Sequence, residues 1–223
     1  MIRLFHCSMI AFALAIAGCR PDNHNVWVFQ VETSSWLDAN APVTGVQVVL
    51  EEQRLNNGVL NAFYTEVDEG VTDGNGQLAL STSRGNVLSI RLHLTKEGCF
   101  EEFLLFNPET LTTGSEGNDA MVGIMPACEV NATINHANNP CMEDDLIHRW
   151  IPRDLPGTET SVRWSCGTDW EALEPGASTT QLCTITGDTW LAYQLIWTCQ
   201  GTDSVRLDSA WCPAGETLSL TLE

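Results

Sequence analysis

The chain has very few basic residues, and Lys96 is its only lysine. Its 10 Lys and Arg residues stand against 29 Asp and Glu residues, so the formal net charge is −19 at pH 7. A surface of this sign repels phosphate backbones, and we therefore expect no nucleic-acid partner. We interpret the acidity mainly as a solubility feature, with a cationic partner or divalent ions as the alternative.

Long hydrophobic runs are absent too. The segment Met9 to Ala17 is apolar but only about half as long as a bilayer-spanning helix. Arg3 precedes it and small residues follow it, an order typical of a cleaved export signal. We predict that residues 1–18 are a signal peptide. An uncleaved apolar N-terminal helix is the alternative.

The end of this segment carries a more specific pattern. Ile16-Ala17-Gly18-Cys19 resembles the lipobox of bacterial lipoproteins. The resemblance implies cleavage before Cys19, a diacylglycerol on its thiol and attachment to the bacterial cell envelope. We expect that attachment at the outer membrane or the cell surface. An ordinary signal peptide with a chance cysteine remains the alternative. Residues 19–25 then form a short polar tether.

Seven cysteines remain after Cys7 and Cys19. Because an exported chain meets an oxidising compartment, we expect disulfides among them, with one thiol left over. Their spacing contains no C-x-x-C pair, so neither a zinc knuckle nor a redox pair is indicated. The pairing stays open. The seven are Cys99, Cys128, Cys141, Cys166, Cys183, Cys199 and Cys212.

Long helical periodicity is missing, whereas short alternating runs recur about every ten residues. The clearest run, Val87 to Thr95, places Leu88, Ile90, Leu92 and Leu94 on one face. This pattern predicts an all-β protein of two β-sandwich domains of the Ig or transthyretin kind. We place them at residues 26–126 and 127–223. No repeat aligns between the two.

The stretch Val71 to Leu80 contains Asp73, Asn75 and Gly76, which resemble the middle of a calcium loop. An EF-hand loop also needs carboxylates at its first and last positions, and both possible registers lack them. A weaker site with Asp68 and Glu69 is conceivable. We favour a tight turn in which Gly74 and Gly76 supply positive φ, and we expect no metal or cofactor.

Two short segments carry a family resemblance. Pro42 to Val48 and Thr72 to Leu78, followed by a long alternating strand, resemble carboxypeptidase-regulatory-like domains over residues 42–106. The resemblance implies a seven-stranded sandwich of the transthyretin type. In that family the domain is an accessory without catalytic residues, so no catalytic role is carried over.

Tryptophans recur beside cysteines in the second domain, at Trp164, Trp197 and Trp211. We interpret these three as core residues packed on disulfides. Trp36, Trp170 and Trp190 lie in predicted loops or at strand ends. They are the candidates for an exposed platform that stacks on sugar rings.

Catalytic motifs are also absent: the sequence has no G-x-S-x-G, H-E-x-x-H, P-loop or G-x-G-x-x-G. The densest polar cluster is Glu143-Asp144-Asp145 with His148, which we interpret as a solvated turn. We therefore expect a non-enzymatic, lipid-anchored envelope protein that binds a protein or glycan through edge strands and loops. A carbohydrate-binding module or an accessory domain of an envelope hydrolase system is the alternative.

The lipid anchor can be tested directly. Changing Cys19 to Ser (C19S) should abolish lipid incorporation and move the protein out of the detergent phase, because the acceptor thiol is lost. Metabolic labelling with a fatty acid and phase partitioning measure both effects. Cys7→Ser is the control, since Cys7 lies in the segment that is removed. Unchanged partitioning of C19S would refute the anchor.

Overall fold

The computed structural model describes residues 25–56, 59–60, 62–114, 117–136, 145–152 and 162–223. Within these ranges the chain forms sixteen β-strands and one short 3₁₀ helix at Pro108–Thr110. The expected all-β sandwich fold is confirmed. None of the helical structure in the described ranges is long and apolar enough to cross a bilayer. The signal peptide and Cys19 lie outside the described residues.

Nine strands precede residue 126. They are β1 Val26–Ser35, β2 Asp38–Pro42, β3 Gln47–Asn56, β4 Val59–Leu60, β5 Thr65–Val71, β6 Gln77–Ser83, β7 Val87–Thr95, β8 Glu102–Phe106 and β9 Asn118–Ile124. Seven more follow: β10 Ala127–Asn135, β11 Leu146–Ile151, β12 Glu171–Leu173, β13 Ser178–Thr186, β14 Thr189–Cys199, β15 Thr202–Cys212 and β16 Thr217–Leu222.

The first nine strands form two sheets. In one sheet, β1 pairs antiparallel with β6 and parallel with β9, and β2 pairs with the end of β1. The other sheet has the order β5-β3-β7-β8, with β4 paired to the end of β3. Both sheets send side chains into one core. Its buried residues are Trp27, Phe29, Val31, Val46, Val48, Leu50, Leu80, Ile90, Leu92, Leu94, Ala120 and Ile124.

The remaining strands repeat this arrangement. Strand β10 pairs antiparallel with β13 and parallel with β16, and the second sheet has the order β12-β11-β14-β15. Strands β10 to β16 therefore correspond in order to β1, β3, β5, β6, β7, β8 and β9. The second core contains Cys128, Val130, Ala132, Ile134, Leu146, Trp150, Cys166, Ile185, Leu191, Tyr193, Leu195, Cys212 and Leu222. The two units therefore share one strand topology, although their sequences show no repeat.

The two cores meet without a spacer, because β9 ends at Ile124 and β10 begins at Ala127. The amide of Ala127 donates to Gly98 and the amide of Gly215 donates to Ala127, at 2.8 and 2.7 Å. Gly98 has a φ of +71°, and a Cβ there would lie 2.9 Å from the Cα of Gly215. Backbone contact therefore joins the two units closely. The boundary between residues 126 and 127 lies in this junction and stays a prediction.

The turn at Asp73 to Gly76 connects β5 to β6. The carboxylate of Asp73 accepts the amides of Asn75 and Gln77 at 2.8 and 2.9 Å. These bonds lower the pKa of Asp73, that from Gln77 most. Gly76 has a φ of +74°, whereas Gly74 does not adopt positive φ, so only one of the two expected glycines is required for its conformation. Asp73 Oδ1 is therefore used by the turn's own backbone.

The same turn is locked to the two segments that flank β2. Thr72 is buried, and its hydroxyl accepts the amide of Val46 at 3.0 Å and donates to the carbonyl of Val43 at 3.3 Å. Thr33, fully buried in β1, donates its hydroxyl to Val43 and its amide to Gly76. Both halves of the pattern that suggested a carboxypeptidase-regulatory-like domain are therefore in direct contact.

Disulfides staple the second unit, as the sequence predicts. Cys128 to Cys212 connects β10 with β15 across the two sheets, and Cys166 to Cys183 ties the segment before β12 to β13. Their sequence separations are 84 and 17 residues. In the chain-entropy model, loops of these lengths correspond to roughly 3–5 kcal/mol of stabilisation each.

The other cysteines have different environments. Cys199 is also disulfide-bonded, and Cys141 lies outside the described residues. Cys99 is the free cysteine of the described part of the chain and is half-buried at the junction. Burial raises the pKa of its thiol, and Lys96 opposes that shift.

The close packing of Gly76 against Thr33 yields a stability prediction. Gly76→Ala should lower the free energy of unfolding by about 2–4 kcal/mol, because the new methyl overlaps the carbonyl oxygen of Thr33 and the φ is left-handed. Gly74→Ala is the matched control, since a Cβ there meets nothing within 4 Å. It should stay within about 0.5 kcal/mol of the parent. Denaturant titration measures the free energy of unfolding of both variants. Equal losses in Gly76→Ala and Gly74→Ala would contradict the close contact between Gly76 and Thr33.

Candidate functional site

The outer surface of the sheet β12-β11-β14-β15 is unusually apolar. In β14, Leu191, Tyr193 and Leu195 point into the core, so Trp190, Gln194 and Ile196 must point outward. In an antiparallel sheet with one solvated face, the outward positions are normally polar. Here they continue across the neighbouring strands as a hydrophobic surface.

Strand register defines this surface. Trp190 lies opposite Trp211, Gln194 opposite Leu207 and Ile196 opposite Val205 in β15. On the other side, β11 contributes Ile147, Arg149 and Ile151. Five of its members are between 43% and 68% exposed: Trp170, Trp190, Val205, Leu207 and Trp211. We call this surface, with its half-buried neighbours Ile147, Arg149, Ile151, Gln194 and Ile196, the Trp190 face.

Two aromatic groups lie on the Trp190 face. The rings of Trp190 and Trp211 meet edge to face, with centroids 5.6 Å apart and planes at 69°. The guanidinium carbon of Arg149 lies 4.3 Å from the ring centroid of Trp170. Arg149 is held there because its Nε and Nη2 both donate to Gln194 Oε1, at 3.0 and 2.8 Å. The Trp170 ring is therefore covered on one side by a fixed cation.

Between these groups the surface is slightly concave. A shallow depression of about 340 Å³ is lined by Ile151, Ala192, Leu207, Asp208 and Ser209. The side chains that line it are largely aliphatic. Side chains of this kind fit an apolar side chain of a partner.

The tryptophan assignments are partly corrected by this geometry. Trp170 and Trp190 lie on the same face, whereas Trp36 belongs to the first unit, where its amide donates to Ile124. Trp211 was expected in the core but is exposed, because neighbours in a strand point to opposite faces and Cys212 is fully buried. Trp164 and Trp197 pack against the second core, as expected. Adjacency to Cys212 was the signal that identifies Trp211 as outward-facing.

The polar cluster around His148 is not assembled as an open site. His148 is 3% exposed and points inward from β11, whereas Asp145 is exposed at the start of that strand. Glu143 and Asp144 lie outside the described residues. Within the described ranges, His, Cys, Asp and Glu side chains form no group of three or more that could hold a metal ion.

His148 instead belongs to an internal network. Gln181 Nε2 lies 3.2 Å from the imidazole Nε2, and Gln181 Oε1 accepts the indole N–H of Trp150 at 2.6 Å. Gln181 also donates to Glu171, whose carboxylate lies 3.6 Å from the imidazole. The ring therefore accepts at Nε2 and is neutral, while its Nδ1 has no partner among the described residues. Burial lowers the pKa of His148, and Glu171 opposes that shift.

Comparison with known proteins gives no family. No family model matches this chain, and no curated protein matches it in sequence. Similar solved structures include the TIE protein of Bacillus anthracis, at 13% identity and a TM-score of 0.38, covering 89% of this chain and 34% of that one. The chain thus spans about a third of that protein's length.

Two pilin structures are similar at the same level. The shaft pilin SpaA of Lactobacillus rhamnosus GG has 9% identity and a TM-score of 0.33, and the match covers 89% of this chain and 98% of that one. The major pilin subunit BcpA of Bacillus cereus has 9% identity and a TM-score of 0.31, and the match covers 84% of this chain and 69% of that one. At these TM-scores we infer neither fold subtype nor function from them.

The internal network predicts a pH dependence. Since the folded pKa of His148 lies below its usual value of 6.5, the unfolded chain takes up the proton first. The stability that the neutral His148 ring contributes is fully present above about pH 6.5, and it is lost as the pH falls through the pKa of the folded state. Wild-type protein should therefore lose stability on acidification relative to His148→Gln.

Thermal or denaturant unfolding at a series of pH values measures this difference. Glu171→Gln serves as the matched variant, because removing the carboxylate lowers the His148 pKa further and should extend the loss to lower pH. Parallel profiles for wild type and His148→Gln would contradict the assignment.

Proposed function

We propose that this chain is a non-enzymatic, lipid-anchored module of the bacterial cell envelope that binds a protein partner through the Trp190 face. Cys19 provides the attachment to the membrane, and the tether at residues 19–25 separates it from the folded units. In this proposal the first unit is a carboxypeptidase-regulatory-like accessory domain without a catalytic role.

One observation carries the proposal: the outward positions of a sheet whose inward positions already fill a core are mostly apolar. Val205, Leu207 and Trp190 face solvent although they contribute nothing to the core described above. Contiguous exposed apolar patches are rare on soluble proteins and commonly mark interaction sites. A patch centred on Trp residues with an adjacent Arg has the composition of binding hot spots.

The geometry favours a protein over a glycan. A sugar ring stacks on an open aromatic face, but the Trp170 ring is covered on one side by Arg149 and the Trp190 and Trp211 rings are nearly perpendicular. The same face also presents the branched aliphatic side chains Val205 and Leu207. These fit apolar side chains of a protein, whereas sugar hydroxyls would be left without partners.

Charge defines the rest of the partner's surface. The Trp190 face includes the carboxylate of Asp203, which accepts the hydroxyl of Thr198, and the chain as a whole carries −19. We expect a partner with apolar side chains at the centre of its contact and basic ones at the rim. Its association rate should fall as salt is raised, because rim charges act mainly on encounter.

Site-specific crosslinking in the native envelope tests the proposal. A photoreactive amino acid at position 190 should capture a protein that the same group at position 182 does not. Leu182 is the matched control because it is exposed and apolar but lies on the opposite sheet, paired with Asn131.

Binding of the purified captured protein then decides the matter. Trp190→Ala should weaken its affinity by about tenfold or more, as expected for a central hot-spot residue, and Leu182→Ala should leave it unchanged. Equal loss in both variants, or a glycan that binds dependent on Trp170 and Trp190, would overturn the protein-binding proposal.

A further inference from the structure

Strand β15 is an edge strand of its sheet in the described part of the chain. It has eleven residues, Thr202–Cys212, and its register with β14 runs without a bulge over its whole length. Among the described strands only β14 pairs with it. Long regular edge strands are templates for another strand, and proteins usually shorten or interrupt them, or place lysine or proline in them. β15 has no lysine, proline or bulge, and of the usual devices it has only charged side chains, at Asp203, Arg206 and Asp208.

The hairpin before β15 determines which groups face outward. Gln200 and Gly201 have φ values of +51° and +74°, as in a two-residue hairpin turn, so Cys199 and Thr202 form the closing hydrogen-bonded pair. From Thr202 onward, every second residue is hydrogen-bonded to β14 in the same way, so the residues between them direct their amides and carbonyls away from β14. These outward residues are Asp203, Val205, Leu207, Ser209 and Trp211. The amide of Ser209 is met by its neighbour Asp208, at 2.8 Å.

The side chains of this edge are complementary to themselves. Arg206 and Asp208 flank Leu207, and both are nearly half exposed. If a second β15 pairs antiparallel about a two-fold axis at Leu207, Arg206 lies opposite Asp208 of the partner subunit, twice. Leu207 lies opposite Leu207 of the partner subunit as a hydrogen-bonded pair, and the Ser209 amide exchanges its bond to Asp208 for one to the carbonyl of Val205 of the partner subunit.

Neighbouring registers are disfavoured by charge. Moving the axis by one residue places either Arg206 or Asp208 opposite its own copy, and like charges directly opposite in a sheet are destabilising. The sequence Val205-Arg206-Leu207-Asp208-Ser209 thus selects one register. A closed pair of this kind also removes the exposed edge from both copies.

We propose that the chain forms a two-fold dimer in which the β15 strands of two copies pair antiparallel at Leu207. The two four-stranded sheets then become one sheet of eight strands. The Trp190 faces of the two copies adjoin across the axis, since Val205, Leu207 and Trp211 lie on that surface. The dimer does not depend on the proposed partner binding.

Sedimentation equilibrium tests the dimer on residues 19–223 with Cys19→Ser, which retains every described residue and carries no lipid. The parent should dimerise. Leu207→Lys should raise the dimer dissociation constant at least about tenfold, because it places two ammonium groups opposite each other. Leu105→Lys is the matched control, since Leu105 is exposed on β8, the corresponding edge of the first unit, and this variant should remain dimeric.

A charge exchange tests the register. Arg206→Asp and Asp208→Arg should each weaken the dimer, and the double variant should restore it, because the opposite pairs re-form with exchanged sign. A monomeric parent, equal dissociation by Leu105→Lys and Leu207→Lys, or a double variant no better than either single variant would overturn the proposal.

Discussion

A strand buries only every second side chain, and this alternation is the constraint on which the structure of both units depends. Leu191, Tyr193 and Leu195 enter the second core, and Ile90, Leu92 and Leu94 enter the first. Once these positions are buried, a shift of one residue would expose all of them, so the register is strongly determined. The residues between them must then face solvent whatever their polarity. The Trp190 face is the direct result.

The same arrangement is used twice. In each unit the first strand lies at the centre of the smaller sheet, antiparallel to one neighbour and parallel to the last strand of the unit. The first and last strands stand at the two ends of each unit in the sequence, so the closing contact is long-range. Close glycine packing at Gly98 and Gly215 then joins the units. The repeat is one of topology, because core positions accept many apolar side chains of suitable volume.

The two units are stabilised differently. The first closes with hydrogen bonds from Thr33 and Thr72 to the turn and to the chain around Val43. The second relies on disulfides, and Cys128 to Cys212 fastens the end of β15 to the opposite sheet. That bond holds one end of the edge strand in place while its solvent-facing side remains unpaired. A neutral His148 between the sheets adds a network that is sensitive to acid.

Alternating hydrophobicity, turn residues and cysteine content were sufficient to predict an all-β sandwich fold with disulfides and a turn at Asp73. These features are local, because a period of two and a glycine with positive φ can be read over a few neighbouring residues. From the sequence alone, Trp164 and Cys166 were also expected to point into the same layer, and both contact the second core although the chain forms no strand there. The sequence did not state which face is inside, because that depends on the sheet packed against it. Tertiary structure therefore decided that Trp211 is exposed, that His148 is buried, which cysteines pair and that β15 is an edge.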